Sequence, residues 1–295
     1  MSYEIYFYIL LFIFGLFFGS FINLVSDRVV KKEKIVFGRS KCDYCGKTLG
    51  VFNLIPLFSF FFQKGKCSYC KEKLSVFYPM SELMTGLSFV VAAIESKLIA
   101  EFNIINALLF VYMAGSICFL IILFLTDAKY QLIPDKVVYA GIFFVLFSIL
   151  VIYGTDLYLY HKQLSNDVFG RYLLKAGIWN EAVISYLKSI LFLIGSSFII
   201  SLFFFILILI TKGRGMGGGD VKLGFLIGLF NGLPLNFLAI FLGFFFGAIY
   251  SLILVLLRKK SLKDTIAFGP FLILGSVTSF LWGQLILDWY TKILK

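Results

Sequence analysis

The amino-acid sequence predicts an all-α polytopic membrane protein, with about eight transmembrane helices and a small cytoplasmic lobe between the first two. Three observations carry this prediction. The chain of 295 residues is 60% hydrophobic and 19% aromatic, its charges fall in short stretches between long apolar runs, and four of its five cysteines lie in two C-x-x-C pairs. A soluble domain is less apolar, and apolar runs of about 20 residues span a bilayer as helices.

Eight apolar runs are candidate helices. They lie near residues 5–25, 77–95, 104–125, 136–153, 184–210, 221–233, 236–257 and 268–288. The run 221–233 is short for a full span and carries Gly224, Gly228 and Gly232, small residues whose spacing lets neighbouring helices approach closely. We interpret it as a buried central helix. The N-terminus lacks a basic start and a small-x-small cleavage site, so residues 1–25 are predicted to be a retained transmembrane helix.

The basic residues predict how the chain is oriented. With the N-terminus outside, the loops 26–76, 127–136, 211–222 and 258–267 are cytoplasmic, and they hold 20 of the 27 Lys and Arg residues. Loops rich in Lys and Arg stay on the inner side of a membrane. The net charge of +11 then comes from residues that flank helices beside anionic headgroups, so we predict the lipid bilayer, and no nucleic acid, as a partner.

The paired cysteines predict a metal site. Cys42, Cys45, Cys67 and Cys70 form two knuckles with the spacing of a four-thiolate, structural zinc ribbon. A redox pair is the alternative, but lasting disulfides are rare in a reducing cytoplasm. Residues 26–76 are therefore predicted to form a cytoplasmic zinc-ribbon-like lobe. The apolar stretch 51–62 between the knuckles is too short to span and is expected to pack on the membrane surface or against the helix bundle.

Two aspartates stand at the mouths of apolar runs. Asp127 follows a run that ends at Leu125, and Asp220 follows the glycines at 215 and 217–219. An ionised carboxylate costs about 2.5 to 3.5 kcal/mol at the centre of a membrane helix, so such acids usually line a polar cavity. Two acids that share one proton can activate water and protonate a leaving group. Residues 77–295 are predicted to form the bundle that carries this pair.

Structural roles for these acids remain open from spacing alone. Asp220 would be an ordinary helix N-cap, and Asp127 and Asp135 would be solvated loop acids. Pro134 pushes the preceding residue out of helical geometry, which predicts a helix break at Asp127.

Three kinds of neighbouring residue could support the acids. Gly217 and Gly219 admit positive φ just before a helix N-terminus, where a substrate strand could lie. Glu82, inside the second apolar run, has either a role in the cavity or an Arg or Lys partner. Lys222 either stabilises the carboxylate two residues before it or simply flanks a helix.

Taken together, these motifs resemble the type IV prepilin peptidases, the GxGD membrane aspartic peptidases of the prepilin leader peptidase/N-methyltransferase family. Gly217 to Asp220 match the G-x-G-D motif. Further matching stretches follow in order along nearly the whole chain: GSFIN at 19–23 with Arg28, RSKC at 39–42, NLIP at 53–56, GKC at 65–67, YP at 78–79 with Glu82, and FGPF at 268–271.

The resemblance implies a multi-pass enzyme of the bacterial inner membrane that removes the basic leader of prepilins and pseudopilins at the cytoplasmic face. It also implies that Asp127 and Asp220 are the catalytic pair and that the new N-terminus is methylated with S-adenosylmethionine. No methyl-donor site is readable, because the one glycine-rich stretch precedes Asp220 and follows no strand. The chain departs from the family pattern at Val29-Val30, at Ala267 and in the hydrophilic stretch 154–182, interpreted as an outer-side insertion.

Two other classes of function are compatible with the residues. A small transporter or channel would coordinate a cation at broken helices near Asp127 and Asp220 and carry the cysteine lobe as a cytoplasmic domain. The two aspartate motifs are dissimilar, however, whereas transporters often have repeated halves. A membrane scaffold with a zinc docking lobe is the third class, and release of a leader from a prepilin separates all three.

Overall fold

The computed structural model describes residues 2–35, 38–213, 216–259, 261 and 266–293. These segments are helical apart from turns, loops and two isolated β-bridges. The helices are α1 (Ser2–Lys31), a 3-10 turn (Val51–Leu54), α2 (Phe58–Phe62), α3 (Phe77–Glu95), α4 (Ile104–Tyr130), α5 (Asp135–Asn166), α6 (Val168–Lys175), α7 (Ile178–Thr211), α8 (Gly218–Asn231), α9 (Leu235–Leu256) and α10 (Gly269–Ile293). Within the described ranges, seven are long and apolar enough to cross a membrane, namely α1, α3, α4, α5, α7, α9 and α10. The eighth apolar run forms α8, which has only 14 residues.

The chain divides into two compact units, residues 1–137 and 138–295. In the first unit, α1 packs along α3 and both helices contact α4. A Cβ added to Gly19 would lie 2.5 Å from the Cα of Glu82, and one added to Gly15 would lie 2.8 Å from the Cα of Gly86. Glycine at these two positions therefore lets the backbones of α1 and α3 touch.

The short helix α8 forms the buried centre of the second unit, where it contacts α7, α9 and α10. A Cβ on Gly224 would lie 2.5 Å from Phe204, and one on Gly228 would lie 2.6 Å from the Cα of Ser197. The predicted buried central helix with closely packed small residues is confirmed.

Several helices continue past the apolar runs that predict them. Helix α5 extends through the polar residues after Tyr153 as far as Asn166, and α7 begins at Ile178. Between them, Asp167 caps α6 by accepting a hydrogen bond from the N–H of Gly170. The hydrophilic stretch 154–182 is therefore almost wholly helical. Polar residues end an apolar run in the sequence without ending the helix that contains it.

The loop between α1 and the cysteine lobe is held by one side chain. The guanidinium of Arg28 donates hydrogen bonds to the carbonyl oxygens of Lys34, Ile35 and Gly38, at 3.1, 2.8 and 3.0 Å. One guanidinium group thus donates hydrogen bonds to several loop carbonyls that lie outside the helices. The start of the lobe is fixed to the end of α1 by this arrangement.

Candidate active site and cysteine cluster

Asp127 lies inside a helix rather than at its end. Helix α4 continues to Tyr130, and Gln131, with φ of 51°, ends it by donating its N–H to the carbonyl of Asp127 at 2.9 Å. The helix break predicted at Asp127 is therefore found one turn later, at Gln131. Pro134 restricts the backbone of the preceding residue only, so three residues, 131–133, remain for the turn before it. The side chain of Asp127 is buried, at 7% exposure, whereas Asp135 is exposed. The alternative of a solvated loop acid therefore describes neither residue, since Asp135 is the first residue of α5.

The residues after Asp127 join a network with α1. The Nζ of Lys129 lies 3.1 Å from Asp27 Oδ1, and the two side chains are only 11% and 14% exposed. The hydroxyl of Tyr130 donates to the same oxygen at 3.0 Å. The ring of Tyr78 lies beneath the Lys129 ammonium, 4.7 Å from its centroid. This half-turn of α4 is therefore tied to α1 by an ion pair shielded from water.

The network continues into the cysteine lobe. The hydroxyl of Tyr78 lies 3.2 Å from Asp27 Oδ2 and 3.4 Å from Asp43 Oδ2, and Asp43 pairs with Lys31 at 2.5 Å. Because Asp43 follows Cys42, these contacts connect the first knuckle to the turn that carries Asp127. Sequence reasoning missed Asp27. The signal that could have found it is the small and polar face of α1 formed by Gly19, Asn23, Ser26 and Asp27.

Asp220 is the third residue of α8 and closes the start of that helix. Its Oδ2 accepts a hydrogen bond from the N–H of Gly217 at 3.2 Å, while its own N–H donates to the Gly217 carbonyl at 3.1 Å. The N-cap is Gly217 itself. The alternative role of Asp220 as an ordinary N-cap is thus corrected to that of a reciprocal partner from inside the first turn. The carboxyl is buried, at 8% exposure, beside the positive end of the helix.

The glycines around Asp220 do not all behave as predicted. Gly217 has an extended backbone with φ of −88°, and positive φ occurs instead at Lys212 and Gly213. Gly219 is the second residue of α8, and positions 214–215 lie outside the described residues. A Cβ on Gly217 would meet nothing closer than 3.9 Å, and one on Gly218 nothing within 4 Å. Packing among the described residues therefore does not explain the missing side chains at 217 and 218.

Lys222 and Glu82 have partners of unexpected kinds. The Nζ of Lys222 lies 5.7 Å from the ring centroid of Tyr139, which is a cation–π contact. Glu82 is buried and its Oε2 accepts a hydrogen bond from the N–H of Leu57 at 2.8 Å. The Arg or Lys partner expected as one alternative for Glu82 is not found in the described part of the chain. The hydrogen-bond partner of Glu82 is a backbone N–H, which is available because Leu57 lies in an irregular turn.

That turn has strained geometry. Leu57 has φ of 61° and ψ of −55°, and the N–H of Phe58 donates to the carbonyl of Pro56 at 2.6 Å. This is a γ-turn with positive φ, a conformation that persists only where surrounding contacts enforce it. The carboxylate of Glu82 is such a contact. The sequence gives no sign of this turn, because leucine rarely adopts positive φ.

The four paired cysteines form one cluster. In each knuckle, the first cysteine N–H donates to the carbonyl five residues later, and a β-bridge closes the turn, joining Lys41 to Thr48 and Lys66 to Lys73. The four Sγ atoms lie within 4.8 Å of one another, and those of Cys42 and Cys70 are 3.9 Å apart. A tetrahedral site with metal–sulfur bonds of about 2.3 Å has sulfur–sulfur distances of about 3.8 Å. The cluster can therefore hold a metal ion.

The backbone around one cysteine favours its metal-binding form. Hydrogen bonds from the backbone of Cys70, and from that of Tyr69, lower the pKa of the Cys67 thiol to about 7. The thiolate, not the thiol, is the metal ligand. The fifth cysteine, Cys118, lies in α4 outside the cluster.

Comparisons with known proteins identify the family. The model for the bacterial peptidase A24 N-terminal domain matches residues 13–96, and the model for the type IV leader peptidase family matches residues 114–252, which include both aspartates. No solved structure matches the chain significantly.

Relatives of this chain in several bacteria carry the name prepilin leader peptidase/N-methyltransferase. That of Bacillus subtilis is 31% identical, over 96% of this chain and 98% of the relative. That of Pseudomonas aeruginosa is 26% identical over 99% and 96%, and that of Aeromonas salmonicida is 26% identical over 95% and 92%. The transporter alternative receives no support from these comparisons. The chain is a multi-pass membrane protein, and it belongs to the type IV leader peptidase family.

Proposed function

We propose that this protein removes the N-terminal leader of prepilins and pseudopilins, using Asp127 and Asp220 as its catalytic carboxyls, and then methylates the new N-terminus. The observation that carries the proposal is the placement of the two acids. Each is more than nine-tenths buried in a terminal turn of an apolar helix, Asp127 in the last turn of α4 and Asp220 in the first turn of α8, within the segment that matches the leader peptidase family. Buried acids in a membrane protein are rarely retained without a chemical role.

In the proposed reaction, the two carboxyls divide the work of hydrolysis. The ionised carboxylate takes a proton from water, and the water oxygen attacks the scissile carbonyl carbon. The protonated carboxyl donates a hydrogen bond to the carbonyl oxygen. When the tetrahedral intermediate collapses, the carbon–nitrogen bond breaks and a proton passes to the departing amine. The mechanism requires one carboxyl to reach the attacking water and the other to reach the scissile carbonyl oxygen, and no covalent bond forms between the substrate and the enzyme.

We place the reaction at the cytoplasmic face of the bacterial inner membrane, because 20 of the 27 Lys and Arg residues fall in the four loops on the predicted side of both aspartates. The leader would lie extended against Gly217 and Gly218, where the described parts of the chain leave room for a side chain. The apolar segment that follows the cleavage site would stay in lipid. Recognition of the substrate is therefore partly a membrane event.

Zn²⁺ is the metal we assign to Cys42, Cys45, Cys67 and Cys70. Four thiolates leave no open coordination position, so the ion would crosslink the knuckles and take no part in hydrolysis. S-adenosylmethionine would supply the methyl group. Within the described residues we assign no side chain to this second cofactor.

One incubation tests the proposed function. The protein is reconstituted in proteoliposomes with a purified prepilin and S-adenosylmethionine, and the products are analysed by intact-mass and N-terminal mass spectrometry. The expected product lacks the leader and carries one added methyl group. A product that is cleaved but never methylated would remove the transferase half of the proposal, and an uncleaved prepilin would contradict the peptidase half.

A further inference from the structure

The stretch between the two cysteine knuckles, residues 51–62, presents an apolar surface. It contains no charged residue and comprises the 3-10 turn and α2. Phe52 and Phe62 are 85% and 83% exposed, and Val51, Phe58 and Phe61 are also exposed. We call these five side chains, four phenylalanines and one valine, the aromatic patch. Packing against the helix bundle, one of the two expectations for this stretch, does not describe these side chains.

The depth of the aromatic patch is set by its link to a membrane helix. The N–H of Leu57 is bonded to Glu82, which lies five residues from the start of α3, or about 7.5 Å along the helix axis. Helix α3 has 19 residues and is about 28 Å long, close to the about 30 Å of a hydrocarbon core. The first residue of α3 therefore lies near the edge of the hydrocarbon core. The turn at Leu57, which lies level with Glu82, is on the hydrocarbon side of that edge.

Charges on both sides of the aromatic patch suit a lipid surface. Residues 38–76 contain seven Lys or Arg residues and two acidic residues. Lys64, Lys66, Lys71 and Lys73 follow the patch directly and are exposed. A neutral aromatic segment bounded by lysines is the pattern of an interfacial anchor, in which the rings enter lipid and the ammonium groups meet anionic headgroups.

We propose that residues 51–62 are a membrane-inserted anchor whose aromatic patch occupies the interfacial zone of the leaflet at the Phe77 end of α3. The cysteine knuckles then lie on the headgroups instead of extending into solution. The Glu82–Leu57 hydrogen bond and the γ-turn fix the angle at which α2 enters the lipid. This inference concerns lipid contact alone and does not depend on the proposed peptidase activity.

Lipid photolabelling of the full-length protein tests the anchor. The protein is reconstituted in vesicles of phosphatidylethanolamine and phosphatidylglycerol that contain a phospholipid with a diazirine on its acyl chain. After irradiation and digestion, mass spectrometry locates the label. Tyr44 is the internal control, because it is an aromatic residue of the same lobe, is 68% exposed and lies outside the patch.

The expected result is several-fold more label on Phe52, Phe61 and Phe62 than on Tyr44, and stronger labelling from a diazirine near the headgroup than from one at the chain terminus. Labelling of the patch no stronger than that of Tyr44 would overturn the anchor. Loss of the patch label when prepilin is added would assign the surface to the apolar segment of the substrate, and would overturn the lipid assignment too.

A paired variant extends the test to the lobe. Phe52→Ser combined with Phe62→Ser should lower the label on Phe61 several-fold while the metal content of the cysteine cluster stays unchanged. The unchanged metal content shows that the knuckles still fold. If the label on Phe61 persists in this variant, membrane insertion does not depend on the patch, and the proposal is wrong.

Discussion

The two carboxyls at the centre of the proposed chemistry are fixed by different local contacts. Asp220 is fixed by the N–H of Gly217, the N-cap residue three positions earlier. Asp127 is fixed through the helical turn that follows it, where Lys129 and Tyr130 both contact Asp27. A reactive group that is held in position before the reaction loses less entropy on reaching the transition state, and the activation free energy is lower. We therefore expect Asp27 to act as a positioning residue for Asp127.

Removing the charge of Asp27 should slow catalysis without weakening substrate binding. In Asp27→Asn, Lys129 keeps its charge without a carboxylate partner, and the loss of stability should be smaller than the about 3–5 kcal/mol of a fully buried pair, because both side chains keep some exposure. We expect kcat to fall about tenfold or more with KM nearly unchanged. Steady-state cleavage assays measure both constants.

A second substitution separates positioning from folding. Adding Lys129→Met to Asp27→Asn removes the unpaired charge, so thermal stability should recover while kcat stays low. Recovery of both together would show that Asp27 acts on stability alone.

Gly217 is expected to be needed by the substrate rather than by the fold. Its φ of −88° suits alanine, and a Cβ would meet no atom closer than 3.9 Å, so Gly217→Ala should change stability by less than about 0.5 kcal/mol. Cleavage should nevertheless fall, since the methyl group would enter the space proposed for the leader.

Gly213→Ala is the matched control in the same loop. Its φ of 72° should cost the variant about 1 kcal/mol or more in stability with little effect on cleavage. Thermal unfolding and cleavage assays on both variants test the contrast. A Gly217→Ala enzyme as active as the parent would remove the substrate from this position.

At the scale of elements, close helix packing rests on a few glycines. In α8, the position of Gly228 leaves no room for a methyl group against the backbone of Ser197 in α7. Gly228→Ala should therefore force the two helices apart and cost about 1–3 kcal/mol. Gly154 in α5 has open space around it, so Gly154→Ala should be neutral or stabilising by up to about 1 kcal/mol. Unfolding in detergent measures both effects, and equal effects would contradict the packing argument.

The cysteine lobe is the element whose integrity we expect to depend on a metal. Cys45→Ser removes one ligand and should abolish metal binding, because a structural site needs all four thiolates. Cys118→Ser changes a cysteine outside the cluster and should keep the metal. Elemental analysis of the purified variants tests this directly. Metal retained at the parental level in Cys45→Ser would show that the cluster is not the site.

Loss of the metal should also reduce cleavage. Asp43 lies between Cys42 and Cys45 of the cluster and contacts Tyr78, which contacts Asp27. A disordered knuckle would loosen this connection to the last turn of α4. Cleavage by Cys45→Ser should therefore fall below that of Cys118→Ser, and equal rates would show that the network carries no influence from the lobe.

At the scale of the whole molecule, the sequence predicts the membrane helices because lipid leaves the backbone few alternatives. Helix ends are predicted less well, since α5 runs through polar residues that lie beyond the apolar run. Asp127 and Asp220 stand out in the sequence as candidates because a carboxylate next to an apolar run is costly. The pair of Asp27 and Lys129 is not, because the two residues are 102 positions apart and meet only through helix packing.

The central claim is that Asp127 and Asp220 act as one catalytic unit. Its most direct test compares initial cleavage rates of a prepilin by Asp127→Asn, Asp220→Asn and the double variant in proteoliposomes, with the exposed Asp288→Asn as control. Each single variant should lose about 10³-fold or more, and the double variant should be no slower than either single one, since members of one unit are not additive. Asp288→Asn should cleave at the parental rate. Near-parental cleavage by either single variant would contradict the account.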